Sequence, residues 1–211
     1  MNIHIAVRST EDQKKELLQK GFSDKITVQW VEPNEKLVLI HADAYFDLSF
    51  NDTAVSNNDF IKDKPVFIHA VNCICTEINK PNYIRLNAWN GFLNRDITEL
   101  ACSNDAIKKI AEDILNTMHW RFVWTADDYG FIAARIIAMI INEAYYALEE
   151  NVSTKEQIDI AMKLGTNYPY GPFEWSGKIG LLNVLHLLQK LAAQNKRYTI
   201  SDLLIQESQQ F

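Results

Sequence analysis

The spacing of apolar residues changes once along this 211-residue chain, and that change limits what it can fold into. Up to about residue 125 the apolar residues fall in short bounded runs. These are Ile3 to Val7, Ile26 to Val31, Leu37 to Ile40, Val66 to Val71, Tyr83 to Leu86 and Phe122 to Trp124. Runs of this length suit strands buried on both faces of a parallel sheet. TEDQKKELLQKG lies between the first two, with Thr10 placed to cap, acids in the first turn and Gly21 to close. A strand, helix and strand in about 30 residues predict a parallel crossover. Asn104 to Met118 predicts a second helix, with Ile107, Ile110, Ala111, Ile114, Leu115 and Met118 at three- and four-residue steps.

After Tyr129 the strand pattern stops. Phe131 to Glu150 predicts a long helix with Ile132, Ile136, Ile140, Ala144 and Leu148 along one face. Ser153 opens a Ser-x-x-Glu capping box for a second helix that ends at Gly165. A Pro- and Gly-containing loop, TNYPYGPFEW, follows. Lys178 to Gln194 predicts a third helix on Ile179, Leu182, Leu185, Leu188 and Leu191 or their neighbours, and Ile200 to Glu207 suits a fourth. Two domains follow, a sheet domain over 1–127 and a helical one over 128–211.

Composition narrows the function classes. Apolar residues are 47% and charged residues 23%, enough apolar surface for a core and too much for a disordered chain. There are 21 basic and 27 acidic residues and no Lys/Arg block, so general nucleic-acid binding is not expected. The longest apolar stretch, Phe131 to Ile141, is interrupted by Arg135 and falls short of the about 20 residues a membrane helix needs. The polar N-terminus offers no signal-peptide core, and three Cys make no disulfide framework, so the cytoplasm is expected.

Read unaided, the residues give no convincing catalytic group. A dinucleotide site needs glycines in the turn after the first strand, where backbone N–H groups approach a pyrophosphate. That turn, Arg8 to Gln13, has none, and Glu11 and Asp12 stand where the anion would go. Glu32, at the end of the second strand, is placed either to hydrogen-bond a ribose or simply to face solvent. His69, Cys73 and Cys75 lie close together but match no common zinc spacing, and a strand end of small residues explains them better. No metal site is expected. His186 on its apolar helix reads as a packing residue, and His119 as a helix-end residue.

The later motifs change this. GFIAAR from Gly130, NEA from Asn142, IDIAMKLG from Ile158, YPYGPFE from Tyr168 and IGL from Ile179 form one ordered series. Over residues 125–190 it resembles the C-terminal helical domain of the 3-hydroxyacyl-CoA dehydrogenase family, which carries GFI-x-NR, NEA, D-x-AMKLG and YPMGPFE followed by Gly-Leu. Upstream, Asn72 to Thr76, Arg85 to Gly91, Glu99 and Asp127 match family positions more weakly. The resemblance implies a shortened Rossmann-like sheet domain before the helical one, NAD as cofactor, an acyl-CoA-type ligand and a homodimer formed through the helices.

At the family's catalytic positions the match breaks. Asn87 stands for the proton-abstracting His, Ile74 for the Ser and Ala134 for the Asn that polarise the substrate oxygen; Glu99, which orients the His, is kept. An amide takes up no proton near neutral pH, and Ile and Ala donate no hydrogen bond to an oxyanion. Arg8, Thr10 and Gln13 replace the three fingerprint glycines. Three readings stay open: a catalytically degenerate family member, an active NAD-dependent oxidoreductase with a displaced base, and a non-enzymatic interaction or acyl-CoA-binding module. The interval from Leu37 to Val66 is brief for the family's helical excursion, and no KTG-x-GFY tail follows, so a trimmed scaffold is expected.

Overall fold

The computed structural model describes residues 2–50, 61 and 63–209. Contacts divide the chain into two compact units, Met1–Phe131 and Ile132–Phe211. Among the described residues no helix is long and apolar enough to cross a membrane.

The first unit is a seven-stranded sheet. Its elements are β1 (Ile3–Arg8), α1 (Glu11–Lys20), β2 (Ile26–Val31), β3 (Ala44–Asp47), β4 (Val66–His69), α2 (Cys75–Ile78), β5 (Tyr83–Leu86), β6 (Ile97–Ala101), α3 (Asp105–Thr117) and β7 (Arg121–Trp124). The spatial order is β2-β1-β3-β4-β5-β6-β7, and every pairing is parallel except β5 with β6. Both faces are covered, which is why the strands read as continuous apolar runs. Ile5 and Val7 belong to one core cluster with Phe46, Phe67 and Leu115, while Ala6 between them belongs to another with Tyr45 and Ile68.

Helix α1 forms as its sequence predicts. Thr10 Oγ1 accepts from the Gln13 N–H, and Gln13 Oε1 accepts from the Thr10 N–H. Gly21, at φ +82°, closes the helix with its N–H on the Leu17 carbonyl.

The expected strand at Leu37 to Ile40 is a short 3-10 turn, Leu37–Leu39. Only Leu37 of that turn is buried, and Leu39 is 81% exposed. An apolar run with one inward residue cannot be a strand of a doubly covered sheet. The strand that follows this turn is β3, whose Ala and terminal Asp hid it. β6 was hidden in the same way by Thr98 and Glu99. The brevity noted between Leu37 and Val66 covers residues 51–60 and 62, which lie outside those described.

The second unit comprises α4 (Ala133–Glu149), α5 (Lys155–Thr166), α6 (Pro172–Ile179), α7 (Leu181–Gln194), a 3-10 turn (Lys196–Tyr198) and α8 (Asp202–Ser208). Three expectations change here. Thr154, not Ser153, caps α5 by accepting from the Gln157 N–H. That helix runs through Gly165 and ends at Asn167, which takes the left-handed conformation at φ +54°. The helix predicted over Lys178 to Gln194 is two helices, because Gly180 at φ +87° breaks it. The break turns Leu182 outward to 48% exposure, while Leu181, Leu185, Leu188 and Leu191 pack inside. In α4 the inward face is Ala134, Ile137, Ala138, Ile141 and Tyr145, and Ile132 and Ile136 are each 51% exposed.

The motif residues have structural causes. Asn142 on α4 donates through Nδ2 to the Thr199 carbonyl (2.8 Å) and accepts from the Ser201 N–H (3.0 Å), tying α4 to the approach to α8. Asp159 on α5 accepts from the Phe173 and Glu174 N–H groups (2.8 and 3.2 Å), so its carboxylate caps α6 from a neighbouring helix. Pro172 opens α6 without loss of a hydrogen bond. Gly171 is required by this contact, since a Cβ there would lie 2.3 Å from Asp159 Oδ1.

We therefore expect Gly171→Ala to destabilise the helical unit by about 1–3 kcal/mol through overpacking. Gly165→Ala, where a Cβ meets nothing within 4 Å, should be neutral or mildly stabilising. Urea unfolding followed by far-UV circular dichroism checks both.

Candidate functional site

In an open parallel sheet, ligands bind at the carboxyl ends of the strands where the chain's direction of winding reverses. Here β1 is followed by β2 on one side and β3 on the other, so the reversal lies between the ends of β1 and β3. Those ends are Arg8 and Asp47, directly paired in register.

The two side chains bridge this point. Arg8 Nε donates to Asp47 Oδ1 at 3.0 Å, and Arg8 Nη2 donates to Asp47 Oδ2 at 2.6 Å. Arg8 Nη1 donates to the Glu35 carbonyl, beyond β2, at 2.9 Å. The pair is bidentate and only 15% and 11% exposed, the geometry in which such pairs are strongest. Behind it Gln13 is buried, and its Nε2 donates to the Leu48 and Ala88 carbonyls at 3.1 and 3.3 Å. One amide thus ties the start of α1 to the segments after β3 and β5. A pyrophosphate arriving in the usual mode would meet this ion pair, a helix start already capped by Thr10, and the acids Glu11 and Asp12. Glu32 follows β2 and is exposed, with its N–H on a Glu35 carboxylate oxygen.

Two further predicted residues of the first unit are Asn87, just after β5, and Glu99, within β6. β5 and β6 pair with Arg85 opposite Ala101 and Leu86 opposite Leu100. Asn87 follows β5 directly and Glu99 precedes Leu100 within β6, so the two predicted residues lie on neighbouring segments of the sheet. Asn87 is 5% exposed. Its Oδ1 accepts from the Trp89 N–H at 3.1 Å, and its Nδ2 has no hydrogen-bond partner among the described residues. Ile74 immediately precedes α2, and its N–H donates to Glu77 Oε2. Ala134 lies in the second unit, fully buried in the first turn of α4.

Sequence reasoning missed two ionic contacts here. One is Asp47, which went unseen because its strand did. The other centres on Arg85, whose side chain is fully buried. Its Nη1 donates to Asp127 at 2.5 Å, its Nε to the Ala70 carbonyl and its Nη2 to the Asp128 carbonyl. The guanidinium also lies over the Phe131 ring at 4.7 Å. Asp127 accepts from the Cys75 N–H as well, through both oxygens. An Arg in a strand run and an Asp 42 residues later carry no local sign of pairing.

The His69, Cys73 and Cys75 cluster has other partners. Burial and the neighbouring Asp127 carboxylate push the Cys75 thiol up to about 12, so it is not a thiolate near neutral pH. His69 Nδ1 accepts from the Ala88 N–H at 3.1 Å. Burial lowers its imidazole from 6.5 to about 4.

With this geometry established, comparison places the chain. Residues 130–208 match the family described as 3-hydroxyacyl-CoA dehydrogenase, C-terminal domain. That stretch is similar to the family's C-terminal domain and coincides with the helices of the second unit. It is 44% identical over 85 residues to 3-hydroxyadipyl-CoA dehydrogenase of Escherichia coli, covering 39% of this chain and 18% of that protein. It is 37% identical over 89 residues to 3-hydroxybutyryl-CoA dehydrogenase of Bradyrhizobium diazoefficiens, covering 42% of this chain and 30% of that protein. The matched stretches therefore span less than a third of either relative.

Whole-chain likeness is structural. FadB2 of M. tuberculosis superposes with a TM-score of 0.78 at 13% identity, covering 100% of this chain and 95% of the other. (S)-3-hydroxybutyryl-CoA dehydrogenase PaaH1 of Ralstonia eutropha gives 0.72 at 16%, covering 98% and 93%. These likenesses establish the fold of the first unit as Rossmann-like, in agreement with its strand order, and nothing about its chemistry.

The His69 hydrogen bond generates a pH prediction. The folded ring is neutral down to about 4, whereas the unfolded chain takes up that proton near 6.5. Between these values the unfolded state binds more protons, so stability falls as the pH drops through this window. Urea midpoints should decline from pH 6.5 to pH 4. His69→Asn, which keeps an acceptor for Ala88, should flatten that part of the slope.

Proposed function

We propose that this chain is a 3-hydroxyacyl-CoA dehydrogenase-type scaffold that does not carry out NAD-linked hydride transfer. The observation that carries this reading is the Arg8–Asp47 bridge across the winding reversal, with Gln13 laced behind it. A dinucleotide bound in the usual mode needs bare backbone there, and these residues do not fit it. Displacing a bidentate, largely buried ion pair would leave both charges short of partners, a cost that phosphate contacts beside Glu11 and Asp12 would not recover.

The catalytic row supports the same reading. Asn87 cannot abstract a hydroxyl proton, and Ile74 and Ala134 cannot stabilise an oxyanion. Glu99 retains the family carboxylate without the imidazole it would orient. Glu32 then acts as a solvated strand-end acid. The role left for the scaffold is binding: an acyl-CoA-type ligand, and self-association through the helical unit by way of exposed Ile132 and Ile136. Leu181 and Leu188 are buried within the unit.

The test is titration with NADH followed by nicotinamide fluorescence, together with an assay for acetoacetyl-CoA reduction. We expect no saturable binding at millimolar NADH and no turnover. Saturable binding, or turnover above the rate without protein, would instead support an active oxidoreductase with a displaced base.

A further inference from the structure

The helical unit contains a cavity of about 460 Å³ that neither the dinucleotide edge nor the catalytic row uses. Its size falls within the range of small-molecule sites. Tyr145, Phe173, Leu181 and Leu182 give it apolar walls, and Gly177 and Gly180 leave part of it bare of side chains. One end is polar. Lys155 Nζ donates to both oxygens of Glu207 at 2.7 and 2.6 Å, and the Tyr145 hydroxyl donates to Glu207 Oε2 at 2.8 Å. The same ammonium lies 5.6 Å from the Tyr145 ring centroid and 5.4 Å from that of Phe173.

We infer that this cavity binds a small neutral molecule with an apolar chain and a carbonyl head, such as an ester, received beside Lys155. The charge balance selects the head. Glu207 already accepts three hydrogen bonds, whereas Lys155 has given only two of its three protons to it. The remaining function at this end is therefore a donor, and it needs an acceptor oxygen. Lys155 and Glu207 already neutralise one another. A carboxylate head would add an unbalanced negative charge beside Glu207, and an ammonium head would be repelled by Lys155. A neutral carbonyl accepts the third proton without either cost. The body of the ligand replaces water against Phe173, Leu181 and Leu182, and Leu182 is otherwise 48% exposed.

This inference concerns the second unit alone and holds whether or not NAD binds the first. The test uses the full chain and three probes of similar chain length: methyl hexanoate, hexanoate and hexylamine. Calorimetric titration should give saturable binding of methyl hexanoate, at least about tenfold tighter than of either charged probe. Gly177→Leu is the informative variant, because Gly177 lines the cavity and a Cβ at this position meets nothing within 4 Å. It should weaken methyl hexanoate binding at least about tenfold with the melting temperature unchanged or raised, since Leu favours helix over Gly. Gly177→Ala, a smaller filling, should give an intermediate loss. Absence of saturable methyl hexanoate binding, equal or tighter binding of a charged probe, or binding indifferent to Gly177→Leu would each overturn the proposal.

Discussion

Arg8 and Asp47 end the adjacent strands β1 and β3 side by side, and the way their charges are satisfied governs the carboxyl edge of the sheet at the winding reversal. Those strand ends, with the amide groups around them, are the place where a doubly wound sheet ordinarily offers polar groups to a ligand. Here the protein's own side chains take up those groups. Arg8 holds Asp47 and the Glu35 carbonyl, Gln13 holds the Leu48 and Ala88 carbonyls, and His69 receives the Ala88 N–H. Further along, fully buried Arg85 holds Asp127 and two carbonyls. Among the described residues, both buried guanidinium groups at this edge, Arg8 and Arg85, are thus paired with a carboxylate.

The helical unit follows a different logic. Its motifs are recognisable because they answer packing demands that act over short spacings. Asp159 reaches across to the N-terminus of α6, Gly171 keeps that approach open, and Asn142 and Glu149 hold the turn before α8. None of these contacts depends on NAD chemistry.

Much of this was legible in the chain. Thr10, Gln13 and Gly21 bracket α1 because capping is decided within one helical turn. Asn104 to Met118 forms α3 because its apolar stripe has the helical period. Where local signals compete, reading fails. LVLI has the composition of a strand, but only Leu37 finds a core to enter, and AYFD, the actual strand, ends in an acid that only a partner from β1 can stabilise. Ser153 and Thr154 are chemically equivalent caps, and backbone geometry alone selects Thr154. Likewise Gly180, read as part of one helix, separates two.

By itself, then, the sequence determined the division between strand and helix, the caps that bound several elements, and the motif series of the helical unit. These are properties of residue type and short spacing, which a linear chain displays directly. Only the tertiary structure decided that Arg8 meets Asp47, that Arg85 meets Asp127, and that Tyr145, Lys155 and Glu207 close one end of a cavity. Each of these depends on strand register or helix packing between residues distant in sequence. Register and packing are set by how whole faces bury, and no local stretch of sequence carries that information.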